Sequence, residues 1–148
     1  MYRIRKATTQ DSDTIYSFIC ELESAVLDII RFRESYFHNL ESPDILYLVA
    51  ENENGLAGFI SAHGQWLLHH SEKVYEIQEL FVTPDQRNNG IGSLLVNAVR
   101  KELEKEPCEL LEVACGISRT GAHRFYLREN FRQSHYKFTW PAYSGTNS

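Results

Sequence analysis

The stretch "VTPDQRNNGIGSLLVNAVRKEL", from Val82 to Leu103, sets turn-forming residues and two glycines directly before an apolar-periodic helix. Ahead of it, "VYEIQELFV" reads as a strand stopped by "TPDQ". The helix from Gly92 to about Lys105 is expected to bury Leu94, Leu95, Ala98, Val99 and Leu103, with Pro107 marking its end. A strand that enters a helix through glycines leaves the helix's first N–H groups open, and an anion can sit there. This junction constrains the fold more tightly than any other part of the chain.

The remaining segments supply a sheet and its covering helices. "YRIRKA" alternates like an edge or early strand and meets "TTQD", where Thr8 can cap a helix and Asp11 stands three residues on. Ile15, Phe18, Ile19, Leu22 and Val26 follow at helical spacing as one apolar stripe. "RFRESYFHNLESPD" holds a second short helix, broken before Pro43. "ILYLVAE" and "LAGFISAHG" read as strands joined by "NENG", whose Asn54–Gly55 pair is a hairpin signal. Beyond the glycine turn, "ELLEVAC" is a strand, "TGAHRFYLRENF" a helix with Ala122, Phe125 and Tyr126 on one side, and "RQSHYKFTW" a closing strand. Asn130 stands where a helix exit needs a left-handed residue. The tail "PAYSGTNS" reads as frayed. The order β-α-α-β-β-β-α-β-α-β specifies one mixed α/β sheet with helices packed on it.

A chain of 148 residues fits one domain. A net charge of −5 with no offsetting Lys/Arg cluster argues against a nucleic-acid partner. Cys20, Cys108 and Cys115 are scattered, odd in number and without metal-ligand spacing, as reduced cytosolic thiols would be. "MYRIRKATTQDSD" has no apolar core of signal-peptide length and no run spans a membrane, so the expected location is the cytoplasm with no membrane partner.

Three phosphate-binding schemes compete for the glycine turn. A Walker-type loop needs Lys and a hydroxyl residue after its last glycine, but Gly92 is followed by Ser93–Leu94. The dinucleotide fingerprint needs a small residue where Leu95 stands. What remains is Arg87-x-x-Gly90-x-Gly92, after a strand and opening a helix, in which successive N–H groups converge on a pyrophosphate. The same glycines would also serve a tight turn that binds nothing. The pattern resembles the signature of the GNAT superfamily of N-acetyltransferases, and the likeness extends over "ATTQDSD", "EIQELFVTPDQRNNGIGSLLV" and "AHRFYLRENF". The last segment in that family ends in Gly-Phe; here Asn130 precedes Phe131, and Asn tolerates the same backbone conformation.

The resemblance implies a largely antiparallel central sheet of six to seven strands, flanked by about four helices, with acetyl-CoA in a splay between two central strands. It implies a single domain over residues 1–148. Residues 1–45 would wall the acceptor site, 46–106 hold the central strands and the pyrophosphate turn-helix, 107–140 form a strand-helix-strand, and 141–148 form the tail. The cosubstrate is expected on Leu80, Phe81, Val82, Arg87, Asn88, Asn89, Gly90, Ile91, Gly92 and Ser93. Direct acetyl transfer then needs an acid for the departing thiolate, for which the family position is Tyr126, a phenol that keeps its proton at neutral pH. It also needs a base for the amine. Glu79 is the family's choice and His70 an alternative with a suitable ordinary pKa. With strict strand alternation Glu76 and Glu79 face opposite ways, so both serve one site only if a bulge intervenes.

Several stretches look like the bacterial aminoalkylphosphonate N-acetyltransferases in particular: "ICEL", Phe32–Arg33, Asn39–Leu40, Gln65, "LHH", "EIQEL", "HRFYLRE" and "SHYKFT". A phosphonate acceptor would call on Arg33, Arg124 or Lys137, with Glu76, Gln78 and His70 also lining the site. Other amines (amino acid, polyamine, aminoglycoside or protein N-terminus) and a silent acyl-CoA-binding module are the alternative readings. No resident metal is expected from spacing. The resemblance allows a divalent ion to assist the phosphonate, drawn from His63, His69, His70, Glu76 and Glu79. It also allows a homodimer.

Overall fold

A computed structural model describes residues 1–142, which divide into two compact units, one over Met1–Val113 and a second beginning at Ala114. The tail beyond residue 142, and with it most of the expected frayed segment, lies outside the described residues. Among the described residues no helix is long and apolar enough to cross a membrane.

The first unit holds a five-stranded sheet in the order β1-β2-β3-β4-β5, from Arg3–Lys6, Ile45–Asn52, Gly55–Leu67, Glu72–Val82 and Leu110–Val113. The first four strands pair antiparallel and β5 runs parallel to β4. The mixed, largely antiparallel sheet is as expected, but it has five strands among the described residues rather than six or seven. The β2–β3 hairpin also forms, with Asn52 paired to Gly55, so the turn is made by Glu53 and Asn54 and Gly55 already belongs to the strand.

Three helices cover this sheet: α1 (Ser12–Glu23), α2 (Ile29–Leu40) and α3 (Ile91–Leu103). On one side Val49, Phe59 and Phe81 pack with Ile15 and Phe18 of α1 and Tyr36 of α2. Aromatic contacts link the layers: Phe18 stacks on Phe81 at 4.9 Å and Tyr36 on Tyr47 at 5.5 Å between ring centroids. Helix α3 covers the opposite side with Ile91, Leu95, Val96 and Val99, all at most 1 % exposed. Gly58 permits that approach, since a Cβ there would stand 2.9 Å from the Phe81 carbonyl oxygen and 3.1 Å from Leu95 Cδ1. Two expected burials fail. Leu94 points outward at 44 % exposure, and Val26 is 92 % exposed because the left-handed Ser24 ends α1 before it.

The second unit contains α4 (Thr120–Arg128), followed by Asn130 at φ 70°, the left-handed exit expected of it. The closing strand read from "RQSHYKFTW" does not form. Among the described residues, 131–140 have no ladder partner, and Tyr136, Phe138 and Trp140 are 88 %, 92 % and 90 % exposed. Alternation makes a stretch suited to a sheet; only a paired neighbour makes it a strand.

The entry to α1 is locked by charge. Arg5 Nη1 and Nη2 donate to Asp11 Oδ2 and Oδ1 at 2.8 and 3.0 Å, and the Thr8 N–H donates to Oδ2 at 2.8 Å. The Arg5 guanidinium holds the Asp11 carboxyl below its ordinary range, against the opposing effect of burial. A depressed folded pKa contributes stability above the unfolded carboxylate value of about 3.9 that is lost as pH falls through the folded value. Asp11→Ala should cost about 2–3 kcal/mol at neutral pH, read by urea unfolding, with the difference from wild type shrinking at low pH. An equal loss at all pH values would contradict the ion pair's role.

Candidate active site

The glycine turn forms as a left-handed step into a helix. After Val82 the chain makes a 3-10 turn over Pro84–Gln86, then turns through Asn88 at φ 68° and Gly90 at φ 78° into α3. A Cβ at Gly90 would touch nothing within 4 Å, so the glycine is required by its backbone angle rather than by crowding. The first bond of the helical ladder runs from the Leu94 N–H to the Gly90 carbonyl at 3.0 Å. The amides of Ile91 and Gly92 therefore stand outside that ladder at the positive end of the helix dipole. Arg87 is turned back on its own strand. Its Nε donates to the Val82 carbonyl at 3.0 Å, and the guanidinium lies 5.8 Å from the Phe81 ring centre.

Strand β4 changes its pairing just before this turn. The β4–β5 ladder stops at Ile77↔Val113, so, among the described residues, 78–82 have no ladder partner on that edge, while Leu80, Phe81 and Val82 remain paired with Ile60, Phe59 and Gly58 of β3. A bulge lies at the same place. Ser61 pairs with Glu79 and Ala62 with Ile77, leaving Gln78 as the extra residue. Ser61 and His63 are two apart on β3 and share a face. Their partners Glu79 and Glu76 therefore share it too, which strict alternation would have forbidden.

Glu79 is fixed by Ser61, a fully buried serine. The Ser61 hydroxyl accepts from the Glu79 N–H at 3.0 Å and donates to the Glu79 carboxylate. That carboxylate lines a cleft of about 420 Å3, walled by Ile15 and Ile19 of α1, by Arg31, Ser35 and Asn39 of α2, and by Tyr47 and His63 of the sheet. Asn39 Nδ2 donates to the Tyr47 hydroxyl at 2.8 Å. Burial, joined by the nearby Glu79 charge, holds the Tyr47 phenol above its ordinary range despite that bond.

Other expected acceptor residues lie elsewhere. Gln78 is exposed and its Nε2 donates to Glu76 Oε1 at 3.0 Å. His70 Nδ1 stands 2.7 Å from Glu109 Oε2, with the His69 ring 4.3 Å away. Arg33 is paired with Asp13 at 3.0 Å and is not part of the cleft lining. Arg31 is, because two residues along a helix turn the side chain by roughly 200°. The histidines and carboxylates named for a divalent ion do not converge: among the described residues no three His, Cys, Asp or Glu groups could hold a metal. Sequence reading passed over the cleft residues Arg31, Ser35 and Tyr47, and Ser61 buried behind Glu79. The first two were detectable as an i, i+4 pair in phase with Asn39.

In the second unit, Tyr126 lies between Phe125 and Phe131, with ring centroids at 5.1 and 5.4 Å. Burial, then the neighbouring Cys115, pushes its hydroxyl well above the ordinary phenol range, so it stays protonated in neutral and mildly alkaline solution. Arg124, on the same helix, is exposed.

An open helix start on a half-released strand, beside a cleft with a pinned carboxylate, is the architecture of a group transferase with two substrates. The model of the acetyltransferase (GNAT) family matches residues 11–131, and the chain belongs to that family. It is an acetyltransferase that transfers acetyl to an amine, and acetyl-CoA is the family's cosubstrate. It is 43 % identical over 136 residues to the aminoalkylphosphonate N-acetyltransferase of Salmonella typhimurium, covering 92 % of this chain and 88 % of that one. The fold is shared at TM-score 0.87 with a transcriptional regulator from Bacillus halodurans, at 19 % identity, covering 95 % of this chain and 99 % of that one. An aminoglycoside 6'-N-acetyltransferase from Acinetobacter baumannii superposes at TM-score 0.83 and 15 % identity, covering 98 % of this chain and all of that one (100 %).

Ser61→Ala should remove both bonds to Glu79. The expected result is a stability loss of about 1–3 kcal/mol together with a lowered kcat, much of which Ser61→Thr restores. A Ser61→Ala enzyme with wild-type kcat would show that Glu79 needs no anchor.

Proposed function

We propose that this enzyme acetylates the primary amine of a small aminoalkylphosphonate by direct attack on acetyl-CoA. The observation that carries the acceptor is the 43 % identity, over nearly the whole chain, to the Salmonella typhimurium protein of that activity. The pyrophosphate of acetyl-CoA lies on the amides of the Asn88–Ser93 turn, where Gly90's left-handed angle and the open first turn of α3 suit an anion. The thioester arm runs along the unpaired edge of Leu80–Val82, and an N–H there polarises the carbonyl.

The chemistry follows in three movements. The acceptor enters as an ammonium ion, and Glu79, directly or through a water, takes one proton. The freed nitrogen lone pair attacks the thioester carbonyl carbon, forming the C–N bond. The C–S bond then breaks, the coenzyme A thiolate receives the Tyr126 proton, and the nitrogen's second proton leaves to solvent as the amide forms, with a solvent proton restoring the phenol. A half-buried phenol suits this role because its raised pKa keeps the proton in place until a thiolate, of ordinary pKa about 8.5, appears. The three free cysteines support a reducing compartment, the cytoplasm, for the reaction.

Thiol release from acetyl-CoA, measured on a panel of amines, tests the reading. The panel holds aminoethylphosphonate, propylamine, spermidine, an amino acid and an aminoglycoside. The phosphonate should give the highest kcat/KM, and Tyr126→Phe should lower kcat by about 10²-fold with that acceptor. A different amine preferred tenfold or more would move the acceptor assignment. An unchanged Tyr126→Phe rate would leave Tyr126 as a packing residue.

A further inference from the structure

The first unit carries six arginines, and five are engaged. Arg3 pairs with Glu51, Arg5 with Asp11 and Glu51, and Arg33 with Asp13. Arg87 donates to the Val82 carbonyl and Arg100 to Asn97. Arg31 alone has no side-chain partner among the described residues, and it lines the cleft that Glu79 also lines. An arginine with its planar fork of donors uncommitted, set in the wall of a concave site, is suited to a tetrahedral oxyanion.

The wall around it fits the same ligand. Ser35, one helical turn along α2, lines the cleft on the same stripe and offers a hydroxyl to a third oxygen. The competing charge at this end is Asp28, whose Oδ1 accepts from the N–H groups of Ile30 and Arg31 at 2.9 and 3.1 Å. Its carboxylate sits on the α2 N-terminus, where the helix dipole offsets its charge. The floor is of opposite sign, with Glu79 held by Ser61. An aminoalkylphosphonate has the matching order, anion at one end and ammonium at the other.

We propose that Arg31, assisted by Ser35, determines acceptor specificity by gripping the phosphonate head, which orients the chain so that its amine meets Glu79. This rests on the aminoalkylphosphonate reading of the same site. The grip acts on the ground state and the transition state alike, so it governs KM more than kcat.

Steady-state kinetics of wild type, Arg31→Gln and Arg31→Lys, with aminoethylphosphonate and with the uncharged-tail amine propylamine, test the proposal. Circular dichroism and the acetyl-CoA KM check that each variant is folded. Arg31→Gln should raise the aminoethylphosphonate KM about tenfold or more and change kcat by no more than about twofold. Its propylamine KM should stay unchanged, and Arg31→Lys should recover part of the loss, since an ammonium supplies charge without the fork. If the wild type uses the phosphonate and Arg31→Gln leaves its KM unmoved, or raises both KM values equally, this proposal fails and the substrate reading stands. If the wild type acetylates propylamine but not aminoethylphosphonate, the substrate reading fails and the proposal with it.

Discussion

The pairing of β3 with β4, interrupted by one extra residue at Gln78, sets the geometry on which the active face depends. A regular ladder would have sent Glu76 and Glu79 to opposite sides of the sheet. The bulge returns both to the face shared by Ser61 and His63, beneath α1 and α2. It falls where β4 parts from β5, so one irregularity coincides with both the aiming of a carboxylate and the release of a strand edge. Bulges leave local backbone groups without ladder partners, and here the Ser61 hydroxyl takes up the Glu79 N–H.

The surroundings of Glu79 are built from packing on one side and selective polarity on the other. Phe59, Phe81, Tyr36 and Phe18 form the apolar layer that fixes α1 and α2 over the sheet. The cleft opens where that layer gives way to Tyr47, Asn39 and His63. Asn39 donates to the Tyr47 hydroxyl, and the charged groups of the lining include a carboxylate on the floor, Glu79, and a guanidinium on the wall, Arg31.

Much of the fold was legible in the sequence because its signals were local. The capping pair Thr8 and Asp11, the change of hydrophobic period at Gly90, and Asn130's left-handed exit each depend on neighbours within a few residues. What failed depended on distant partners. The stretch around Tyr136–Trp140 has the alternation of a strand, yet no partner accompanies it among the described residues. Val26 had the right spacing for the α1 stripe, but the helix stopped at Ser24, a residue with no strong terminating preference. In the candidate site, the turn into α3 was legible because Gly90 marks its backbone geometry. The lining of the cleft was harder to read, since Arg31 and Arg33 are equivalent in type and distinguished only by helix phase. The bulge could be stated as a condition, and register alone could reveal it.

The central claim is that the bulge and Ser61 present Glu79 as the group that takes the amine's proton. Its most direct measurement is the pH dependence of kcat/KM for the acceptor in wild type and Glu79→Gln, with the acetyl-CoA KM as a check on cosubstrate binding. The account predicts a kcat/KM lowered by about 10²-fold at neutral pH, an acetyl-CoA KM within about twofold of wild type, and partial recovery as rising pH frees the amine without help. A Glu79→Gln enzyme that kept the wild-type rate and profile across that range would contradict it.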